Sequence, residues 1–109
     1  MAVPKQAIAQ QKPAATVLTS LYTPGAGRRA KVSVKACCQV ATDDIRISLA
    51  LAAAADATSQ YTVYDATVVK NVPYQEDFYL EGTDLIRVRS LGGNVSFTAN
   101  GYEDDIPAA

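Results

Sequence analysis

Between Ala30 and Val40 the sequence alternates without a break. Val32, Val34, Ala36, Cys38 and Val40 fall on one side, and Lys31, Ser33, Lys35, Cys37 and Gln39 on the other. A two-residue period is the repeat of a β-strand, because successive side chains point to opposite faces. One apolar and one polar face mark a half-buried antiparallel strand, with Cys38 inside and Cys37 outside. No helical reading survives that pattern.

The same rule recurs along the chain. Thr16 to Tyr22 reads as a first strand. Ile45, Ile47, Leu49 and Leu51 alternate inward against Arg46, Ser48 and Ala50. Tyr61 to Tyr64 opens another β segment that continues toward Val69. Phe78 and Leu80 oppose Asp77, Tyr79 and Glu81; Ile86 and Val88 oppose Arg87 and Arg89; Val95, Phe97 and Ala99 oppose Ser96, Thr98 and Asn100. Turn residues separate these runs: Pro24-Gly25-Ala26-Gly27, Asp43-Asp44, Gly82-Thr83-Asp84 and Gly92-Gly93-Asn94, the last reading as a hairpin. Six of the nine residues from Leu49 to Ala57 are Ala. Ala favours helix, yet the stretch follows a strand directly, so a strand end and loop with a short helical turn is expected. Strands separated by turns at this spacing predict an all-β, antiparallel sandwich or small barrel.

Residues 1–15 break the rule. They are Ala, Gln, Lys and Pro without a period, and Pro4 and Pro13 exclude a continuous helix. They read as an extended basic N-terminal arm that orders on a partner. The expected division is therefore 1–15 arm, 16–103 β-sandwich domain and 104–109 acidic C-terminal tail.

Composition narrows the function. A chain of 109 residues is one domain, and its Leu, Ile, Val and Phe number 25, enough for a thin core. There is no His, which removes the His-dependent nucleophile systems, the most common zinc ligand and the usual pH switch. The acids Asp43, Asp44, Asp56, Asp65, Glu76 and Asp77 sit mostly in expected turns, without the spacing of a calcium loop. Neither glycine pair has a phosphate-cradle context. No catalytic, metal or cofactor site is expected, and the chain reads as non-enzymatic. No apolar run is long enough for a membrane helix, and no signal peptide is visible.

Net charge is −1, but its distribution is uneven. Residues 1–35 hold Lys5, Lys12, Arg28, Arg29, Lys31 and Lys35 and no acid; the remainder holds four bases and all eleven acids. Such asymmetry drives contact between copies or with an acidic partner, or else both halves fold together and the charges intermix. Aromatic residues are not interleaved with the bases as nucleic-acid recognition requires. Cys37 and Cys38, being adjacent, point apart and do not make an ordinary internal bridge. The outward Cys37 is a candidate for an intersubunit disulfide. Six Tyr in a Trp-free chain, with Tyr61 and Tyr64 near one expected strand edge and Tyr74 and Tyr79 flanking the next, read first as core and rim packing and second as a sugar- or protein-binding surface. Lys31 and Lys35 on one strand face and Arg87 and Arg89 on another read first as solvated faces and second as an acid-binding patch.

A resemblance enters through the turn and strand motifs. Leu21-Tyr22-Thr23-Pro24-Gly25-Ala26-Gly27, then Leu80-Glu81-Gly82-Thr83-Asp84-Leu85-Ile86-Arg87-Val88-Arg89, then Asn94-Val95-Ser96-Phe97 through Gly101-Tyr102-Glu103 resemble small β-sandwich structural proteins of tailed bacteriophage virions. The similarity covers residues 16–103. It implies a jelly-roll-like sandwich, assembly in many copies as a head decoration, collar or tail-associated part, and no catalytic residues. The expected partners are other virion proteins and further copies of the chain, a homo-oligomer made in the host cytoplasm and residing in the virion. Neither nucleic acid nor membrane is expected as a partner. Lys5 and Lys12 in the arm and Arg28 and Arg29 at the first turn are the expected contact residues, and deleting residues 2–15 is expected to leave the fold intact and abolish assembly. A receptor- or carbohydrate-binding module using the tyrosines is the second expectation, and a small host-encoded structural domain the third.

Overall fold

Every strand solves the same problem, burying alternate side chains while satisfying its backbone on a neighbour. The computed structural model describes residues 5–106, with side chains from Ile8 onward. Eight strands follow one another: β1 (Lys5–Gln11), β2 (Thr19–Tyr22), β3 (Arg28–Cys38), β4 (Asp43–Ala50), β5 (Tyr61–Val68), β6 (Tyr74–Glu81), β7 (Leu85–Ser90) and β8 (Val95–Asp105). They form two four-stranded sheets, ordered β1-β8-β3-β6 and β2-β7-β4-β5. All pairings are antiparallel.

The two sheets pack face to face and share one core. Val32, Val34, Ala36 and Cys38 of β3 enter it, with Phe78 and Leu80 of β6 and Val95, Phe97 and Ala99 of β8. The second sheet contributes Ile45, Ile47, Ile86 and Val88. Phe97 is the bulkiest wholly buried side chain. The alternation of β3 is thus realised, with Cys38 buried and Cys37 half-exposed.

Among the eight strands, only β4 and β5 are consecutive and paired. Every other connection crosses from one sheet to the other. The expected hairpin at Gly92-Gly93-Asn94 is therefore a crossover, because β7 and β8 lie in different sheets. Asp43 fixes it. Its buried carboxylate accepts the backbone N–H of Gly92 at 2.9 and 3.0 Å and of Asn94 at 3.2 Å. A buried carboxylate needs such donors, and here they tie the crossover to the start of β4.

Two further expectations change. Val40 lies past the end of β3 and is 72% exposed; the alternation outlasts the ladder. In β4 the phase slips after Ile47, where the register with β5 is irregular. Ser48 and Ala50 are buried, and Leu51 is 65% exposed. Leu51–Ala53 and Thr58–Gln60 are single 3-10 turns, in line with the loop reading of the Ala-rich stretch.

The N-terminal segment is extended, but it is not separate from the sheet over Lys5–Gln11. Those residues pair with β8 at all seven positions, from Lys5 opposite Glu103 to Gln11 opposite Phe97. Ala9 packs against the core. The ordering partner is another strand of the same chain. At the other end, Asp104 and Asp105 belong to β8.

Candidate functional site

The charge asymmetry is resolved first by register. β3 begins where β8 ends, so Arg28 lies opposite Asp105 and Arg29 opposite Asp104. Arg28 Nε bonds Glu103 Oε1 at 2.8 Å and its Nη1 bonds Asp105; Arg29 Nε bonds Asp104 Oδ1 at 2.9 Å. Glu103 is buried and also accepts the Tyr22 hydroxyl. Burial pushes the Tyr22 phenol well above its ordinary range, and the hydrogen bond and charge of Glu103 add to it. Arg28 and Arg29 are thus engaged within the chain. Lys12 is exposed beyond the end of β1, whereas the side chain of Lys5 lies outside the described residues.

The outer face of the first sheet is built from the polar half of the alternation. Cross-strand register sets Lys31 of β3 between Tyr79 of β6 and Tyr102 of β8. The two rings are 71% and 69% exposed. Lys31 Nζ stands 5.3 Å from the Tyr79 ring centre, a cation–π distance. One row away, Arg29 lies between Glu81 and Asp104; on the other side, Ser33 lies between Asp77 and Asn100. The Ser33 hydroxyl donates to Asp77 at 2.6 Å. That bond, then one with Gln75, holds the Asp77 carboxyl below its ordinary range. A shallow depression of about 580 Å³ opens between the tyrosines, reaching Arg29, Glu81 and Asp104.

Gly101 keeps β8 close enough for this row to form. A Cβ there would collide with the Lys31 carbonyl oxygen and would stand 2.8 Å from the Val32 Cα. Chemically, the face presents two aromatic rings, an exposed ammonium and carboxylates held by neighbouring side chains. These groups suit recognition of a protein or a sugar by ring contact and hydrogen bonding.

The second sheet treats its outward cations differently. Arg46 grips Asp65 through two bonds of 2.6 and 3.1 Å and lies 4.0 Å over the Tyr64 ring. Tyr64 meets Tyr61 edge-on at 5.2 Å, and the Tyr61 hydroxyl donates to Asp56 at 2.8 Å. Arg87 Nη1 donates to the Ala54 carbonyl and Arg89 Nε to that of Thr16. The four cations therefore form no single acid-binding patch. Lys31 and Lys35 sit on one sheet, Arg87 and Arg89 on the other.

Tyr74 and Tyr79 also part company, the first turned to the core and the second outward. Tyr79 has Tyr102 as its companion instead, 23 positions later in a segment the sequence offers only as a closing strand. Strand register is the signal that joins them. Cys37 is a free thiol on the outer face of the first sheet, opposite Ser96. Burial raises the Cys38 thiol. Among the described residues, no group of three or more His, Cys, Asp or Glu is placed to hold a metal ion, and no helix is long and apolar enough to cross a membrane. The chain matches no protein-family model and no curated protein.

Proposed function

We propose that the chain is a structural subunit of a tailed-bacteriophage particle, a non-enzymatic domain that binds other virion proteins in many copies. The observation that carries this is the open outer face of the first sheet, where Tyr79 and Tyr102 stand exposed about Lys31. Exposed aromatic residues set among polar ones are the usual composition of a protein-binding surface. The strand order β1-β8-β3-β6 over β2-β7-β4-β5 supports a jelly roll, the architecture of many capsid domains. Fold does not fix function, so the weight rests on the exposed face and on the turn motifs that resemble virion proteins.

The N-terminal segment enters this reading as an edge strand continued by Lys12, and the contact residues shift from Arg28 and Arg29 to the tyrosine row. Quantitative mass spectrometry of purified particles tests the proposal. A fixed copy number, reduced several-fold in the Tyr79→Ala, Tyr102→Ala double variant, is expected. Absence of the chain from particles overturns it. The depression between the tyrosines favours one second reading, a glycan-binding module, since pyranose rings lie against aromatic faces and lectins share this architecture. Glycan-array binding lost in the same double variant, with no chain in particles, would establish that reading instead.

A further inference from the structure

The four edge strands of the two sheets are not alike. β2 is four residues long, with a register shift between Ser20 and Tyr22. β5 is bulged at Asp65, which takes a left-handed φ of 57° between Tyr64 and Ala66. β6 carries Glu76 at a position that shares the inward parity of Phe78 and Leu80. There its half-buried carboxylate accepts the Thr62 hydroxyl at 3.3 Å. Short length, a bulge and an inward charge are the means by which sheet edges avoid recruiting another strand.

β1 is neither short nor bulged, and its one charge at an inward-parity position, Lys5 opposite Glu103, stands at its first residue. It runs seven residues in unbroken register with β8, has no charge from Gln6 to Gln11, and holds no proline within its length, Pro4 and Pro13 flanking it. Every second residue of such an edge turns its N–H and C=O away from the sheet. The strand also reads the same in both directions about Ile8: Gln6-Ala7-Ile8-Ala9-Gln10. Ile8 itself is 56% exposed.

We infer that β1 is a self-association edge, on which β1 of a second copy pairs antiparallel about a two-fold axis through Ile8. The two first sheets become one eight-stranded sheet. In that register Ile8 meets its symmetry mate, Ala7 meets Ala9 and Gln6 meets Gln10. Lys5 faces Gln11, and Lys12 falls beyond the paired stretch, so no like charges stand opposed. Pairing with β6 of another copy has no such symmetry and meets Glu76. A seven-residue strand pair falls short of the ~1,200 Å² of a stable standard interface. The dimer is therefore weak alone and gains strength when many copies are held together. The inference deepens the assembly reading and rests on it for the identity of the partner.

Sedimentation and cross-linking of the full chain test it. In a Cys37→Ser background, Ile8→Cys should oxidise to a covalent dimer, because paired Cα atoms are about 4.5–5.5 Å apart, within disulfide reach. Gln10→Cys should do so at least tenfold more slowly, since the two equivalent positions lie roughly 13 Å apart along the ladder. The unmodified chain should approach dimer mass near a concentration of about 1 mM, and Ile8→Lys should return it to monomer. A monomer at that concentration, or cross-linking no faster at position 8 than at position 10, overturns the inference. An oligomer that survives Ile8→Lys and does not cross-link at position 8 also overturns it, while leaving the assembly reading standing.

Discussion

The first sheet presents Arg29, Lys31 and Lys35 on its outer face, and the second presents Arg46, Arg87 and Arg89. On the second sheet the cations are spoken for. Arg46 is held by Asp65 and Tyr64, and Arg87 and Arg89 bond backbone carbonyls of flanking segments. The Ala-rich loop after β4 folds back to supply one of those carbonyls, and Asp84 accepts the Ala52 N–H to hold it there. Of the three outer-face cations of the first sheet, Arg29 is paired with a carboxylate, Asp104. Lys31 leans on an exposed ring and Lys35 is exposed. The same outward cations thus give a face closed on itself and a face left open. A count of charges does not separate the two; the partners that β5, the Ala-rich loop and the segment at Thr16 supply do.

The largest way to break this contrast is to disturb the open face from beneath. Gly101→Ala places a methyl against the β3 backbone, and the strands must part or shift. The expected loss is about 2–3 kcal/mol, the usual cost of overpacking, read by urea denaturation. An unchanged midpoint would mean that β8 can move aside freely.

A smaller effect sharpens the contrast. Arg46→Ala should lower the Tm by a few degrees, whereas Lys31→Ala should leave it nearly unchanged, as for an exposed surface position. The same pair has a pH signature. Arg46 holds the Asp65 carboxyl below its ordinary value, first through their hydrogen bond. A carboxyl with a depressed folded pKa adds stability above its unfolded pKa, near 3.8, and loses it as pH falls through the folded value. Arg46→Ala should raise the Asp65 pKa toward ordinary and flatten that acid limb. Asp77, held chiefly by Ser33, should not move. Carboxyl titration by NMR checks both sites.

Much of this fold is legible in the alternation of β3, β6, β7 and β8, because each has a strongly apolar inward face. β1 is not legible. Its inward Ala9 is small and its Ile8 faces out, so the apolar contrast that marks a strand is reversed. The crossover at Gly92-Gly93-Asn94 is hidden for another reason. Glycine and asparagine specify a reversal, and the buried Asp43 that decides where it leads lies about 50 positions away. The tyrosine row is hidden likewise, since Tyr79 and Tyr102 become neighbours only through the register of β6, β3 and β8. Arg28 and Arg29 are visible as cations in the sequence; their partners Glu103, Asp104 and Asp105 come from the opposite end of the chain.

Oxidative footprinting of the tyrosines, in the free chain and in intact particles, tests most directly whether the open face is the binding face. Tyr79, Tyr102 and Tyr64 are all exposed in the single chain, so each reports on its own surroundings. The account predicts that assembly slows oxidation of Tyr79 and Tyr102 several-fold and leaves Tyr64 unchanged. Protection of Tyr64 alone, with Tyr79 and Tyr102 as reactive as in the free chain, would contradict it.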